Sequence, residues 1–208
     1  MIESFGGSGA GARGEPRLAE RFNIAHHALQ PPTALKLPTH SPLDATALRH
    51  AFASFATGVT VITALDAQGT PIGMTANSFG SVSLDPPLVQ WSLRLNSGLH
   101  RAFVQATHFS VSVLSADQEL IARQFASRAP DRFDGIALID VADAPPLIAG
   151  AIAHFVCKKI NDYRVGDHEL FIGEVLHTAV HTHAGDSAEA RVAEPLVFFN
   201  SYFGRVQR

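Results

Sequence analysis

The segment spanning residues 73–89, GMTANSFGSVSLDPPLV, carries a row of hydroxyl groups with unusually small neighbours. The hydroxyls belong to Thr75, Ser78, Ser81 and Ser83, and the small residues are Gly73, Ala76 and Gly80. Hydroxyls and free backbone amides can bind a phosphate or the polar edge of a heteroaromatic ring, and residues without bulk let a flat ligand approach the backbone. The same row also fits an edge strand whose hydroxyls face water, and local chemistry leaves both interpretations open.

Histidines supply the next candidates for chemistry. His168 stands in the triplet Gly-Asp-His, where a lone histidine is typically a surface turn residue. His177, His181 and His183 could share one face of a strand and bind a metal ion. No glutamate follows at the spacing of metal-binding H-x-H motifs, and the run ends where a strand gives way to a polar stretch. We therefore expect no metal site.

Three arginines, Arg123, Arg128 and Arg132, lie in and after a predicted helix that leads into the sequence Asp-Arg-Phe. They can reach a phosphate group or simply be solvated, and solvation is the default interpretation for surface arginines. The G-x-S-x-G motif of nucleophilic hydrolases is absent from the chain. Residues 9–14 match G-x-G-x-x-G, but no strand precedes them, so the match does not predict a dinucleotide-binding turn.

Composition excludes several classes of protein. The chain has 208 residues, 46% of them hydrophobic, and a formal net charge of -3, which suits one globular domain without a basic field for nucleic acid or anionic lipid. Its apolar runs are far shorter than the roughly 20 residues of a transmembrane helix. Cys157 is the only cysteine, so an intramolecular disulfide is excluded. A packed thiol and a cytoplasmic location follow as expectations.

Two predicted helices flank the candidate residues. Asp44 is a plausible N-cap for a helix whose Leu48, Phe52 and Phe55 form one apolar stripe. Asp117 is expected to cap a second helix, in which Leu120, Ile121 and Phe125 point one way. Residues 1–43 differ in composition and predict a flexible extension, so the ordered domain is expected to span residues 44–208.

The remaining elements read as strands. The segment FSVSVL alternates with period two, and two long strands are joined through VGDH around His168. The segment PLVFFNSYF predicts a closing strand. Because most strands are neighbours in sequence, the pattern favours a mainly β (α+β) fold, an antiparallel barrel with peripheral helices, over a doubly wound parallel sheet.

Six segments together resemble one known family. They are FATGVTVITA, GMTANSFGSVSLDPPLV, FSVSVLSADQELIARQFA, DRFDG, GDHELFIGEV and PLVFFNSYFG. They occur here in the order seen in the flavin reductase-like family, the reductase components of two-component flavin-dependent monooxygenases such as 4-hydroxyphenylacetate and phenol hydroxylases. The resemblance covers about residues 46–205, and its specificity lies in the combination of motifs.

The resemblance implies a fold, a cofactor and a set of site residues. The implied fold is the FMN-binding split β-barrel, as a homodimer with the flavin near the interface. By resemblance, one group of residues lies along the isoalloxazine ring: Thr75, Ala76, Asn77 and Ser78. A second group contacts the ribityl-phosphate side: Ser81, Val82 and Ser83. Arg132 lies in the loop beside the phosphate, and His168 stands near the nicotinamide and flavin as the candidate catalytic residue.

The implied activity is transfer of a hydride from NADH or NADPH to flavin, which then serves a separate monooxygenase. FMN is favoured because the sequence shows no adenine-binding signature, and FAD stays open. NADH is favoured because no arginine cluster is evident for a 2′-phosphate. Two alternatives remain: a flavin-dependent oxidase of the pyridoxamine-phosphate-oxidase type, and a non-enzymatic flavin-binding module. The Gly-Asp-His and SVSLDPP segments favour the reductase.

Overall fold

The computed structural model describes residues 44–181 and 193–206, and the predicted extension, residues 1–43, lies outside them. The helices are α1 (Ala45–Ala53), α2 (His100–Gln105) and α3 (Glu119–Ala126), with a 3-10 turn at Ala116–Gln118. The strands are β1 (Thr57–Gly58), β2 (Thr60–Leu65), β3 (Pro71–Ala76), β4 (Gly80–Leu84), β5 (Pro87–Arg94), β6 (His108–Val113), β7 (Leu138–Ile139), β8 (Leu147–Ile148), β9 (Ala153–Val165), β10 (His168–Val180), β11 (Leu196–Phe199) and β12 (Tyr202–Arg205).

Seven strands form the principal sheet, in the order β3-β2-β6-β9-β10-β5-β4, and neighbouring strands are antiparallel. A three-stranded sheet, β1-β11-β12, and a two-stranded sheet, β7-β8, flank it. The mainly β, antiparallel fold with few helices predicted from the sequence is therefore confirmed. The longest hairpin, β9-β10, turns at Gly166 and Asp167 as the VGDH segment predicts.

Hydrogen bonds tie the two edge regions of the sheet together. β3 and β4 lie at opposite edges of the strand order, although only Asn77–Phe79 separate them in the chain. Ser78 closes this gap: its hydroxyl donates to the Ser92 carbonyl at 3.2 Å and accepts from the Ser92 amide at 3.0 Å. The end of β3 is thereby fixed against β5, which gives the split barrel.

Two apolar clusters fill the interior. One centres on Trp91, whose ring stacks on Phe171 at 4.3 Å between ring centres and meets Phe103 edge-on at 4.9 Å. The other lies between the sheet and α3, where Phe125 packs edge-on against Phe133 at 5.0 Å. Aromatic pairs in these geometries stabilise a core beyond their buried area.

Cys157 lies in the first of these clusters and is fully buried. Burial raises the pKa of its thiol to about 12, since a thiolate would be desolvated there. The predicted packed thiol is confirmed, and the residue is not a nucleophile.

The helix predictions are partly confirmed. Asp44 caps α1, its carboxylate accepting from the amides of Thr46 and Ala47. The capping role expected of Asp117 is wrong, because Ser115 caps the preceding 3-10 turn through a box with Gln118. In α3 it is Ala122 and Phe125 that are buried.

No helix of the described ranges is long and apolar enough to cross a membrane.

Candidate functional site

An open cleft of about 980 Å³ lies where β3 meets β5. The cleft walls come from the end of β3 and its following turn, the end of β5 and the loop before α2, the loop after α3, and the start of β10. Its volume is at the upper end of the usual range for ligand pockets.

Four of the predicted residues, Thr75, Ala76, Asn77 and Ser78, line one wall of this cleft. The hydroxyl of Thr75 donates to the Ala122 carbonyl at 2.6 Å, and that of Ser78 is bonded to Ser92. The Thr75 hydroxyl therefore joins β3 to α3, and the Ser78 hydroxyl joins the turn after β3 to β5. The groups left for a ligand are the backbone and the Asn77 amide, which makes no hydrogen bond within the described chain.

The free backbone edge of β3 faces the cleft region. The Gly73 carbonyl points away from β2, because it accepts from the guanidinium of Arg132. Backbone groups alternate in direction along an antiparallel strand, so the amide and carbonyl of Thr75 point the same way. Since β3 is an edge of the sheet, none of the described strands pairs with these groups.

Arg132 is anchored on the cleft wall by backbone carbonyls. Its Nε donates to the Ser127 carbonyl at 2.9 Å, and one terminal nitrogen donates to the Gly73 carbonyl at 3.0 Å. The loop is held in turn by Gln124, whose amide donates to the carbonyls of Arg132 and Asp134. Two of the guanidinium's three nitrogens are occupied, and the other remains for an anion.

The cleft has a positive wall. Arg94, Arg128 and Arg132 line it, and its described lining residues include no aspartate or glutamate. None of the three arginines forms an ion pair within the described chain. Uncompensated guanidinium groups on a concave surface attract anionic ligands such as phosphates.

His168 lines the cleft at the start of β10, beside Arg94 of β5. Its Nδ1 lies 2.7 Å from the Asp167 carboxylate. This hydrogen bond, and the charge of a protonated His168, lower the pKa of Asp167 below its ordinary value. A carboxylate on Nδ1 leaves Nε2 as the ring nitrogen that is free to meet a ligand.

Ser81, Val82 and Ser83 lie on β4, and they are not among the residues that line the cleft. Ser81 and Val82 are exposed, and the Ser83 hydroxyl accepts from the Asp85 amide at 3.2 Å. Their contact with the ribityl-phosphate side stays a prediction that rests on the resemblance.

Sequence reasoning missed several residues of the cleft: Ser92, Arg94, Asn96, Ser127 and Arg128 were not assigned to it, although Arg128 was noted as a possible phosphate contact. The pairing of β5 with β10 brings Arg94 beside His168. The sequence places the polar Arg94 at the end of a predicted strand, but one sequence does not show which strand pairs with it.

No group of three metal-binding side chains occurs among the described residues, and His183 lies outside them. His177 and His181 are exposed on and just after β10. The ring of His181 meets that of His154 edge-on at 6.1 Å, while Nε2 of His154 is 2.9 Å from the Ile148 carbonyl.

The residues present fit a flavin mononucleotide. A flat heteroaromatic ring needs small neighbours and in-plane hydrogen-bonding groups, which Ala76, the free edge of Thr75 and the Asn77 amide provide. The phosphate needs an anchored cation, which Arg132 provides.

Comparison with known proteins agrees with this fit. The sequence profile described as flavin reductase like domain matches residues 52–207. An FMN reductase (NADH), SmoA, of Agrobacterium fabrum is 41% identical over 180 residues, which is 84% of this chain and 97% of that protein. The reductase component of a 4-nitrophenol 4-monooxygenase/4-nitrocatechol 2-monooxygenase of Rhodococcus opacus is 32% identical over 163 residues, 78% of this chain and 82% of that protein.

The fold is shared as well. The NADH:FAD oxidoreductase SgcE6 of Streptomyces globisporus C-1027, solved with NAD and FAD fragments, superimposes with a TM-score of 0.71 at 39% identity, over 79% of this chain and 93% of that one. Since the profile spans most of the described domain and the match to SmoA covers 97% of that protein, this chain belongs to the flavin reductase-like domain family.

Proposed function

We propose that this chain is an NADH:flavin oxidoreductase that reduces FMN for a separate monooxygenase. One observation carries the proposal: a cleft of about 980 Å³ with three unpaired arginines and no carboxylate on its described walls, bounded by the β3 edge and by His168. A cleft of this size has room for two ligands, and its charge suits two phosphorylated ones. The names of the relatives, an NADH-dependent FMN reductase among them, support the same activity.

The chemistry of the reaction belongs to the bound ligands: flavin accepts a hydride from reduced nicotinamide. The protein's part is to bind and orient, which is why the cleft needs no nucleophile. Arg132 holds the flavin phosphate, and the Asn77 amide and the Thr75 backbone hold the polar edge of the ring. Oriented amides there would also stabilise negative charge on the ring as it is reduced.

His168 orients the nicotinamide in this proposal. Asp167 fixes the imidazole through Nδ1, so that Nε2 is presented to the cleft. An oriented imidazole can hold the carboxamide of nicotinamide by a hydrogen bond and exclude water from that side. The role is one of positioning, and proton transfer is not required of it.

We also propose that the chain acts as a homodimer. One side of β4 pairs with no strand of residues 44–181 and 193–206, and its side chains include Val82, 52% exposed, and Leu84, 93% exposed. Exposed apolar residues on a sheet edge are typical of surfaces that pair with another chain. A contact there would also bring a neighbour close to Ser81 and Ser83, the residues assigned by resemblance to the flavin.

Reduced flavin is proposed to pass to a separate monooxygenase, as the name of the Rhodococcus relative indicates for that protein. Because NADH and FMN are metabolites of the cell interior, the cytoplasm is the proposed location. An open cleft shared by both ligands lets flavin leave after reduction.

The test is the oxidation of NADH and NADPH by purified protein in the presence of FMN or FAD. The proposal predicts turnover with NADH, higher with FMN than with FAD. No oxidation in any of the four combinations would overturn it. Oxygen consumption with bound flavin and a pyridoxamine phosphate, without NADH oxidation, would instead support the oxidase alternative. Flavin binding without either reaction would support the binding module.

A further inference from the structure

A second, smaller hollow of about 280 Å³ adjoins the cleft at the tip of the β9-β10 hairpin. It is lined by Arg94, Leu95, Asn96, Arg164, Gly166 and Asp167. Arg94 and Asn96 line both hollows, so the two are neighbours across the end of β5.

The smaller hollow has a net positive lining. Arg94 and Arg164 form no ion pair within the described chain. Asp167 is the single carboxylate on its walls; it is bonded to His168, and Arg94 contributes to the lowering of its pKa. Two guanidinium groups against one carboxylate suit a phosphate group, and the carboxylate suits a ribose hydroxyl beside it.

The position of this hollow separates it from the phosphate end of the cleft. Arg132 is fixed at Gly73, the middle of β3, while Ser78 reaches Ser92 near the end of β5. β3 runs three residues past Gly73, to Ala76, which is roughly 10 Å at about 3.3 Å per residue, before the turn that contains Ser78. Arg94 lies two residues beyond Ser92 on β5, so the cations of the cleft are contributed by different elements. FMN carries a single phosphate, which Arg132 already accounts for.

We propose that Arg94, Arg164, Asn96 and Asp167 form a second subsite, which binds the adenosine diphosphate half of a dinucleotide. The subsite rests on the proposed function, because the nicotinamide half of the same molecule would then lie at His168, the residue next to Asp167. The guanidinium groups bind the pyrophosphate, and the Asp167 carboxylate accepts a hydrogen bond from the ribose. Two dinucleotides carry this half, the nicotinamide dinucleotide and FAD, and the experiment distinguishes them.

The direct probe is ADP itself, titrated by calorimetry into the full-length protein at low salt. Wild type is expected to bind ADP, with an affinity that falls as salt screens the exposed arginines. Arg164→Gln is expected to raise the dissociation constant roughly tenfold, the loss of about one charge-assisted hydrogen bond, and Arg164→Lys is expected to restore part of the affinity. Arg49→Gln, an exposed arginine of α1 that lines neither hollow, is the matched control and is expected to bind ADP as wild type does.

Two further comparisons identify the source of the bound half. If it is the nicotinamide dinucleotide, Arg164→Gln lowers the ratio of kcat/KM for NADH to that for reduced nicotinamide mononucleotide roughly tenfold. If it is FAD, the same variant weakens the binding of FAD relative to FMN. Absence of ADP binding by wild type, or equal ADP affinity in wild type and a folded Arg164→Gln, would overturn the subsite. Neither result would touch the proposed function, which fails only if NADH oxidation is absent in wild type.

Discussion

Arg132 takes its position from backbone carbonyls, with no carboxylate paired to it in the described structure. A carboxylate partner would neutralise the guanidinium, whereas the carbonyls of Ser127 and Gly73 orient it and leave its charge uncompensated. This arrangement leaves the guanidinium of Arg132 able to bind the anionic group of a ligand. The charge of Arg132 should therefore matter most to the phosphate of the flavin.

The prediction compares two flavins that differ by that phosphate. Arg132→Gln should weaken FMN binding roughly tenfold or more, since a charge-assisted hydrogen bond contributes about 1.5–3 kcal/mol. Riboflavin, which has no phosphate, should lose much less affinity. Arg123→Gln is the control, because Arg123 pairs with Glu119 and does not line the cleft. Equal losses for FMN and riboflavin, measured by fluorescence titration, would contradict the assignment.

His168 and Asp167 form the second residue-scale unit. His168→Ala is expected to raise the KM for NADH severalfold and to leave the affinity for FMN close to that of wild type, because its proposed partner is the nicotinamide. If neither kcat nor the KM for NADH changed, the positioning role would be wrong.

The hydrogen bond between His168 and Asp167 should also affect the titration of the Asp167 carboxylate. The hydrogen bond from His168 lowers the pKa of Asp167, so the pair is stable above the ordinary carboxyl pKa and is lost as the pH falls through the lowered one. In His168→Ala the pKa of Asp167 should rise back toward the ordinary value of an aspartate. Carbon-detected NMR titration of the carboxylates measures this directly, and an unchanged Asp167 titration would show that the bond is absent in solution.

At the scale of elements, the contact between β3 and α3 depends on a residue without a side chain. A Cβ on Gly73 would lie 2.6 Å from Cε1 of Phe125, whose ring is buried and packed against Phe133. The helix can therefore approach the strand that forms the cleft wall, and the Thr75 hydroxyl can reach the Ala122 carbonyl. The small residues of this segment serve the packing of α3 as well as a ligand.

Gly73→Ala should destabilise the fold by about 1–3 kcal/mol, the usual cost of overpacking. Gly58→Ala is the matched control, since a Cβ there meets no atom within 4 Å of the described chain. Urea denaturation of the two variants gives the comparison. If Gly73→Ala were as stable as Gly58→Ala, the close packing of Phe125 on β3 would be contradicted.

Element types were largely predictable from the sequence, and their exposed faces were less so. The β9-β10 hairpin follows from two long β-rich runs around Gly166, which has a positive φ of 60°. The apolar stripe predicted on α1 lies on a helix as expected. It is not covered by the described chain, however, since Phe52 is 69% exposed and no residue of α1 is buried. Periodicity shows which side of a helix is apolar, but it does not show whether another part of the same chain covers that side.

The cleft was predictable to the extent that its residues are local in sequence. Thr75–Ser78 were found because they form one motif, and Arg132 and His168 because the family resemblance singles them out. Arg94 was missed, since it lies beside His168 through the pairing of β5 with β10, a contact between distant parts of the chain. Asn96 follows in the loop after β5. The hydrogen bonds of the Ser78 hydroxyl to Ser92 could likewise not be predicted, because they depend on which parts of the sheet lie side by side.

At the scale of the whole molecule, we expect the exposed edge of β4 to form the contact of a homodimer. The chain has a mass of 22.2 kDa, so light scattering of the purified protein should give about twice that value. Leu84→Asp should shift the protein toward monomer, because a charge buried in an apolar contact is costly. Leu120→Asp on α3, where Leu120 is 79% exposed, is the control that should leave the dimer intact. Wild-type protein that runs as a monomer would contradict the proposed assembly.

A single turnover without oxygen tests most directly whether NADH reduces flavin in this cleft. Protein, FMN and NADH are mixed in a stopped-flow instrument, and the visible absorbance of oxidised flavin is followed. We expect the absorbance to be lost far faster than in the same mixture without protein, Arg132→Gln to slow the loss at low FMN, and His168→Ala to slow it at low NADH. Flavin that stays oxidised at the rate of the protein-free mixture would contradict the claim that this cleft is where NADH reduces flavin.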